Sequence, residues 1–270
     1  MKSFCKKWGA LLGAVIALAS STASARSGAY PARPVRLLIP FVAGGATDFV
    51  ARVLQTRMAE DLGQSIVIDN RPGASGNIAV EIAASAPADG HTVLFANLGT
   101  ISINPVLFRE FRVDTVRDMQ CVSIVADVSA LLAINGSIPA NNFEEFARYA
   151  KSRPGVSAIL SNETQVGITA TPTTIPHLKS GRLKALDLLG PSRTPSLPSV
   201  PTMSEIGFPE LTISSWQGIY LPAKTPAPVT RKLRGAVIKA MNDPKVIEAL
   251  KTGGAGPMEP ALLSECNGFT

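Results

Sequence analysis

Residues 34–63 read PVRLLIPFVAGGATDFVARVLQTRMAEDLG and predict a strand, a tight loop and a helix in succession. The continuous apolar run from Val35 to Ile39 is typical of a strand buried on both faces. The loop that follows contains two adjacent glycines, and apolar residues then recur at helical spacing until Gly63, a typical helix stop. We predict Thr47 as the N-cap and Asp48 in the first turn, where a negative side chain favours the helix dipole.

The same alternation of strands and helices continues along the chain. The predicted strands are 66–68, 92–96, 166–170, 183–189 and 213–221, and the predicted helices are 77–86, 143–151, 174–179, 228–241 and 244–251. Two apolar strand-like runs lie between residues 122 and 134, on either side of Asp127 to Ser129. Strands that alternate with helices predict a mostly parallel sheet with helices on its faces.

The composition and the N-terminus restrict the class of protein. The chain has 270 residues, of which 46% are hydrophobic and 17% charged, a composition that suits a packed globular protein and argues against a disordered chain. Three lysines precede an apolar run at 8–19, and small residues follow up to Ala-Ser-Ala at 23–25, which is the pattern of a secretory signal peptide. Cleavage after Ala25 would lower the net charge from +6 to +3, so a nucleic-acid partner is not indicated.

The cysteines and histidines predict no metal site. Cys5 would leave with the signal peptide, whereas Cys121 and Cys266 would be available for a disulfide in an oxidising compartment. His91 and His177 are far apart in the sequence, so no cluster has metal-ligand spacing. We predict neither a metal nor a cofactor.

The glycine-containing loop before Thr47 is a candidate anion site. In open α/β sheets, ligands bind beyond the carboxyl ends of the strands, and this loop occupies that position. The free N–H groups of a first helical turn attract a carboxylate or phosphate without needing a lysine. Two glycines in such a turn also occur for packing reasons alone, so both interpretations remain open on spacing.

Several short motifs extend over most of the chain. The N-terminal set is Pro40-Phe41, Gly44-Gly45, Thr47-Asp48, Ala51-Arg52 and NRPGASGN at 70–77. The C-terminal set is PHLKSGRL at 176–183, Val200-Pro201-Thr202, Ser215-Trp216 and Pro222-Ala223. In this order, the motifs resemble the Bug family of extracytoplasmic receptors of tripartite tricarboxylate transporters.

The resemblance implies an α/β fold of the periplasmic binding protein type II class, a two-lobed Venus flytrap. It implies a signal peptide at 1–25, lobe 1 at 26–126, lobe 2 at 127–215 and a return segment at 216–270 that completes lobe 1. The implied protein is a periplasmic monomer that captures a small carboxylate, such as a di- or tricarboxylate, for the membrane subunits of a transporter. It is not expected to be an enzyme.

The resemblance also implies the ligand-binding residues. Those on the lobe 1 side of the cleft, acting mainly through backbone donors, are Phe41, Gly44, Gly45, Thr47 and Asp48. Side-chain hydrogen bonds would come from Thr100 and Asn104. Trp216 either walls the cleft or is a buried tryptophan at the hinge, and Arg71 either pairs with the ligand or has a structural, solvated role.

The chain departs from the family pattern in the second lobe. Where the family carries a loop, a helix, a strand and a second helix, this chain has only residues 156–164. The second lobe is thus shorter by on the order of fifty residues, a large part of a small domain. This loss would remove a second helix N-terminus from the cleft and expose apolar faces of the sheet. The C-terminus also stops before the amphipathic helix expected there.

Two alternatives to a competent receptor remain open. The first is a degenerate remnant that no longer binds, because part of the second lobe is missing. The second is a small envelope enzyme, which would need a nucleophile with a base, paired carboxylates or a metal. Ser75 lacks the spacing of a nucleophile elbow, and Asp48 as a general base competes with Asp48 as a helix-capping carboxylate.

Overall fold

The fold is built around two β-sheets that share one long strand, β4 (Met119–Asn135). The structure is a computed structural model, and it describes residues 30–152 and 166–259. From Met119 to Ser129, β4 pairs within a large sheet, and from Ala130 to Asn135 it pairs within a small sheet. The chain therefore passes from one sheet to the other without leaving the extended conformation.

The first elements of the large sheet are β1 (Val35–Ile39), α1 (Ala46–Leu62), β2 (Ile66–Asn70), α2 (Asn77–Ala84) and β3 (Thr92–Asn97). β1 lies between β2 and β3 and pairs with both in parallel. Each helix connects two parallel strands, as crossover connections require. The chain confirms the strand, loop and helix predicted at its start, and α1 ends at Gly63 with a left-handed backbone.

The core occupies both faces of the large sheet. Leu37 and Ile39 pack on one face with α1, whereas Leu38 packs on the other face among residues of α2 and β3. Because successive side chains of a strand point to opposite faces, a strand covered on both sides needs an unbroken apolar run. This explains why apolar and polar residues do not alternate in the sequence of β1.

Two short helices, α3 (Asn104–Leu107) and α4 (Thr115–Asp118), lead from β3 into β4. After β4, the chain forms α5 (Phe143–Ser152), β5 (Val166–Ala170), α6 (Thr171–Lys179) and β6 (Leu183–Leu188). Both β5 and β6 pair antiparallel with β4.

The chain returns to the large sheet through β7 (Ser214–Pro222), followed by α7 (Ala227–Met241), α8 (Pro244–Thr252) and the two-residue strand β8 (Gly256–Pro257). β7 lies between β3 and β4 and is antiparallel to both. α7 and α8 cover the same face of the sheet as α1.

Two predictions about the sheets are wrong. The sheet is not mostly parallel, because β4 leaves the large sheet and β7 comes back beside it, and such neighbours run in opposite directions. The segment 122–134 is also not two strands. Asp127 to Ser129 remain paired with β7, and the chain accommodates the twist through bulges between Cys121 and Ser123 and between Ile124 and Ala126.

Several predictions lie outside the described residues. They are the signal peptide at 1–25, the shortened segment 156–164 and the C-terminal residues that include Cys266. Cys121 is described, and it is buried and disulfide-bonded. Within residues 30–152 and 166–259, no helix has both the length and the apolar character needed to cross a membrane.

Candidate functional site

A cleft of about 210 Å³ lies where the two sheets meet. It is formed by the first turn of α1, the end of β3, the middle of β4, the end of β5 and the start of β7. Its polar lining residues are Thr47, Asn97, Thr169, Ser214, Ser215 and Gln217. Among the described residues that line it, none is charged, so its polarity comes from hydroxyl, amide and backbone groups.

The N-terminus of α1 opens into this cleft. The first N–H groups of a helix have no acceptor within the helix, and Ala46 and Thr47 of this turn line the cleft. The helix dipole and these N–H groups favour an anion. The predicted N-cap is wrong: Gly45 is the N-cap, with an extended backbone and no side-chain cap, and Thr47 lies inside the first turn. An uncapped turn leaves its donors free for another acceptor.

Asp48 is buried and holds the loop to the end of β2. Its carboxylate accepts hydrogen bonds from the Gly44 N–H at 2.8 Å, from Arg52 Nε at 2.8 Å and from Asn70 Nδ2 at 3.0 Å. Burial disfavours the charged form, yet these hydrogen bonds together outweigh it and lower the pKa of Asp48 below its usual value. A general base near neutral pH needs the opposite shift, so the geometry favours the structural role of Asp48.

The other predicted loop residues also have partners within the loop. The Gly44 backbone has φ +82°, a left-handed conformation that favours glycine, and it directs the N–H to Asp48. The Gly45 N–H donates to the Val42 carbonyl at 3.3 Å. The Phe41 carbonyl accepts from Asn70 Nδ2 at 3.0 Å. These three residues shape the turn that presents Ala46 and Thr47.

The structure does not bring Thr100 or Asn104 to the cleft. Thr100 is buried, and its hydroxyl donates to the Asn97 carbonyl at 3.0 Å. Asn104 is buried as well, and its Nδ2 donates to the Ser75 carbonyl and to Asn77 Oδ1. Both side chains stabilise the turns that follow β2 and β3, and neither reaches a ligand in this conformation.

Trp216 is buried in the core, which favours the second of its two predicted roles. Its indole packs near Tyr220, with ring centroids 6.3 Å apart. Its neighbours Ser215 and Gln217 line the cleft, and sequence reasoning missed both. The Ser-Trp-Gln triplet carries the signal that could have found them, since polar residues that flank a buried aromatic residue in a strand face the other side of the sheet.

A second helix N-terminus reaches the same cleft. Ala170 is the N-cap of α6, and both Thr169 and Ala170 line the cleft. The Thr171 hydroxyl donates to the Ser129 carbonyl at 2.8 Å and ties the start of α6 to the crossing of β4. The N-terminus of α6 reaches the cleft because α6 follows β5 directly at the junction of the two sheets. The helix N-terminus that the sequence predicts to be lost falls outside the described residues.

Arg71 has a partner within the protein. Its Nε donates to Asp69 Oδ1 at 2.9 Å, and Asp69 also accepts from Arg36 Nε at 2.7 Å. The Arg71 side chain is half exposed and lies outside the lining of the cleft. This arrangement favours the structural role of Arg71.

A larger groove of about 780 Å³ lies elsewhere on the large sheet. Its lining includes Glu81 and Ala84 from the C-terminal half of α2, and its basic residues Arg112, Arg117 and Lys224 are matched by the acidic residues Glu81, Glu110 and Asp118. Arg117 pairs with Asp118 at 2.7 Å. The negative end of a helix dipole disfavours a carboxylate. The smaller cleft at the sheet junction is therefore the better anion site. No group of His, Cys, Asp or Glu in the described parts of the chain is suited to hold a metal ion.

This arrangement of two lobes around a cleft at a shared strand is that of the periplasmic solute-binding proteins. The structure of a periplasmic transporter is 29% identical in sequence, aligns over 89% of this chain and 93% of its own, and superimposes with a TM-score of 0.82. The chain belongs to the tripartite tricarboxylate transporter family receptors, since that family model matches residues 50–158 and 153–263.

Individual relatives are similar over most of their length. BugT of Bordetella pertussis is 29% identical, over 92% of this chain and 89% of its own. MatC from Rhodopseudomonas palustris with bound malate is 28% identical, over 84% of this chain and 90% of its own, with a TM-score of 0.74. An R. palustris protein with adipate is 27% identical, over 87% of this chain and 92% of its own, with a TM-score of 0.80.

The comparisons can also be set beside the predicted shortening of the second lobe. The alignment with BugT runs over 289 positions, more than the 270 residues of this chain, so BugT has residues without a counterpart here. The family model matches two segments of this chain, and these segments overlap at residues 153–158. This junction is where the sequence pattern predicts the loss.

Proposed function

We propose that this protein is an extracytoplasmic receptor that captures a small di- or tricarboxylate in the cleft between the two sheets. In this proposal the protein passes the ligand to the membrane subunits of a tripartite transporter. The observation that supports it most directly is that two helix N-termini, those of α1 and α6, reach one cleft with no charged lining residue among those described. Backbone donors at such termini bind a carboxylate without an arginine or lysine. The α6 terminus has one donor fewer than that of α1, because Pro172 in its first turn has no N–H.

The size of the cleft supports a small ligand. Sites for drug-sized molecules occupy roughly 300–1,000 Å³, and this cleft has about 210 Å³. Malate and adipate, bound by MatC and by the other R. palustris protein, are dicarboxylates of four and six carbons. An acid of this size suits the cleft here.

The lining of the cleft supports capture without turnover. Acyl or phosphoryl transfer needs an activated nucleophile or a metal beside the ligand. The described lining offers hydroxyl groups at Thr47, Thr169, Ser214 and Ser215 but no histidine. The Asp127 carboxyl group, which hydrogen-bonds the Ser214 side chain, lies outside the lining, and burial raises its pKa.

We propose lobes bounded at 26–126 and 127–215, with 216–270 as the return segment. The pairing partners along β4 change three residues beyond the first boundary, because Ser129 still pairs with β7 and Ala130 already pairs with β5, and this supports a crossing between the lobes in this part of β4. Closure of the cleft would then require bending only at β4 and at the start of β7.

A substitution at Gly45 tests the anion site. Aspartate is a favourable N-cap, and its carboxylate would accept from the N–H groups that we assign to the ligand. We expect Gly45→Asp to lower the affinity for the best-binding dicarboxylate by at least about tenfold, since a carboxylate within the chain competes for those donors and repels the ligand. Isothermal titration of the purified chain with succinate, malate, adipate and citrate measures this effect.

Gly45→Ala is the matched control. The backbone of Gly45 has φ −72°, which any residue adopts, but an added Cβ lies 3.2 Å from the Val42 carbonyl oxygen in either variant. We expect Gly45→Ala to bind within about threefold of the unaltered protein, because it adds the same Cβ without a capping carboxylate. Equal affinities for both variants would show that the ligand binds elsewhere.

A non-binding remnant is the second candidate function, and the residues that this chain lacks relative to BugT favour it. The same titration separates the candidates. Saturable heat without product supports the receptor, a folded protein that gives no heat with any acid supports the remnant, and formation of a product supports an enzyme. A melting curve of the same sample establishes that the chain is folded.

A further inference from the structure

Gln217 presents an unpartnered acceptor at the cleft. The residue lies in β7, is only 2% exposed and lines the cleft. Its neighbours in the sheet are Asn97 on β3 and Ala126 on β4. Its side-chain Oε1 is buried and has no hydrogen-bond partner. A buried acceptor of this kind destabilises the fold by roughly 1–3 kcal/mol unless a donor reaches it.

The orientation of the amide follows from its other contact. Gln217 Nε2 donates to the Ser215 carbonyl at 3.2 Å. The reverse orientation would place Oε1 against that carbonyl oxygen, where two acceptors repel each other. Oε1 is therefore the atom of this side chain that has no partner in this conformation.

Gln217 Oε1 differs chemically from the hydroxyl groups of the cleft, and the amide oxygen of Asn97, the other amide in the described lining, already accepts from the Thr100 N–H at 3.1 Å. The hydroxyl groups of Thr47, Thr169, Ser214 and Ser215 can each donate or accept, so they adapt to either kind of ligand group. A carbonyl oxygen only accepts. It therefore rejects a carboxylate oxygen and takes a hydroxyl, an amine or an amide N–H.

We propose that Gln217 determines the specificity of this cleft for carboxylates whose carbon chain carries a hydrogen-bond donor, with a hydroxy-dicarboxylate as the simplest case. This inference rests on the proposed function. The helix N-termini bind the carboxylate, and Gln217 Oε1 accepts from the hydroxyl group. A ligand without the hydroxyl leaves Oε1 unpartnered in a closed cleft, and sites of this kind discriminate strongly against the analogue that lacks the group.

Two matched pairs of acids test the proposal: succinate with malate, and glutarate with 2-hydroxyglutarate. The members of each pair differ by one hydroxyl group. We expect the unaltered protein to bind the hydroxy acid of at least one pair about tenfold more tightly or better, measured by isothermal titration. We expect Gln217→Met, which keeps the length of the side chain and removes the acceptor, to reduce this ratio to within about threefold.

Gln55→Met is the matched control. Gln55 is a glutamine of α1 that lies outside the cleft and donates to the Ile66 carbonyl at 2.7 Å. Its loss also removes a side-chain amide, yet the ratio of affinities should stay as in the unaltered protein. A purely structural role for Gln217 would instead lower the melting temperature of Gln217→Met and leave the ratio unchanged.

The outcomes separate this inference from the proposed function. Binding of both acids of each pair with equal affinity overturns the role of Gln217 and leaves carboxylate capture intact. A preference for the hydroxy acid that survives in Gln217→Met also overturns it. If a folded protein binds none of the four acids, nor adipate or citrate, the proposed function fails and this inference fails with it.

Discussion

At the scale of single residues, two buried aspartates illustrate how surroundings determine the behaviour of the same side chain. Asp48 and Asp187 are each only 1% exposed. Three hydrogen bonds to Asp48 overcome the effect of burial and lower its pKa, whereas the carboxylate oxygens of Asp187 have no hydrogen-bond partner. Burial alone therefore raises the pKa of Asp187 to about 6.

Asp187 makes the stability of the protein depend on pH. Its pKa is higher in the folded chain than in the unfolded one, so the folded state binds the proton more tightly. The contribution of Asp187 to stability is most favourable below about pH 4, where the group is protonated in both states, and it is lost as the pH rises through about 6. The rise in the pKa of Asp187 from 3.8 to about 6 corresponds to roughly 3 kcal/mol in the free energy of unfolding.

We expect Asp187→Val to stabilise the protein at pH 7.5 by roughly 1–3 kcal/mol, because it removes a buried charge from a strand that faces an apolar cluster. The free energy of unfolding in urea, measured at pH 4.5 and 7.5, checks this. The gain should shrink at pH 4.5, where the aspartate of the folded protein is protonated. A gain that is equal at both pH values would contradict the assignment.

At the scale of elements, β4 and the helices around it connect stability with the site. β4 contributes to both sheets, and the residues at its crossing, Val128 and Ala130, line the cleft. The helices α1, α7 and α8 pack on one face of the large sheet and hold the start of α1 in place. The caps of these helices therefore affect stability without touching the ligand.

Asp243 provides a test at this scale. It is the N-cap of α8, and its carboxylate accepts from the Lys245 N–H at 2.9 Å. We expect Asp243→Ala to destabilise the protein by about 1 kcal/mol and to lower its melting temperature by roughly 2–4 °C. Asp243→Ser, which keeps a capping oxygen, should recover most of the loss. The affinity for dicarboxylates should stay unchanged, and a fall in affinity would mean that α8 acts on the cleft.

At the scale of the whole molecule, ligand binding and stability are linked. A ligand that binds only the folded state adds about 2.7 kcal/mol at a concentration of one hundred times its dissociation constant. For a chain of this size, we expect the melting temperature to rise by roughly 5–10 °C with the best-binding acid. Its dimethyl ester, which lacks the carboxylate charges, should leave the melting temperature unchanged. An equal rise with the ester would argue against recognition of an anion.

The sequence alone predicted the elements that depend on local patterns. Continuous apolar runs predicted β1 and β3 because both faces of the large sheet are covered, and helical spacing with Gly63 predicted α1 and its end. The order of short motifs predicted the family. These features need no knowledge of distant contacts, since each depends on neighbours along the chain.

Tertiary structure alone decided the direction of the returning strand and the lining of the cleft. Nothing local shows that β7 enters between β3 and β4, and this insertion makes the sheet mixed and directs Gln217 towards the cleft. Thr100 and Asn104 follow β3, a strand whose end does line the cleft, yet their side chains make hydrogen bonds to other groups of the protein. A residue type indicates which bonds a side chain can make, whereas only the packing of distant segments determines which partner it meets.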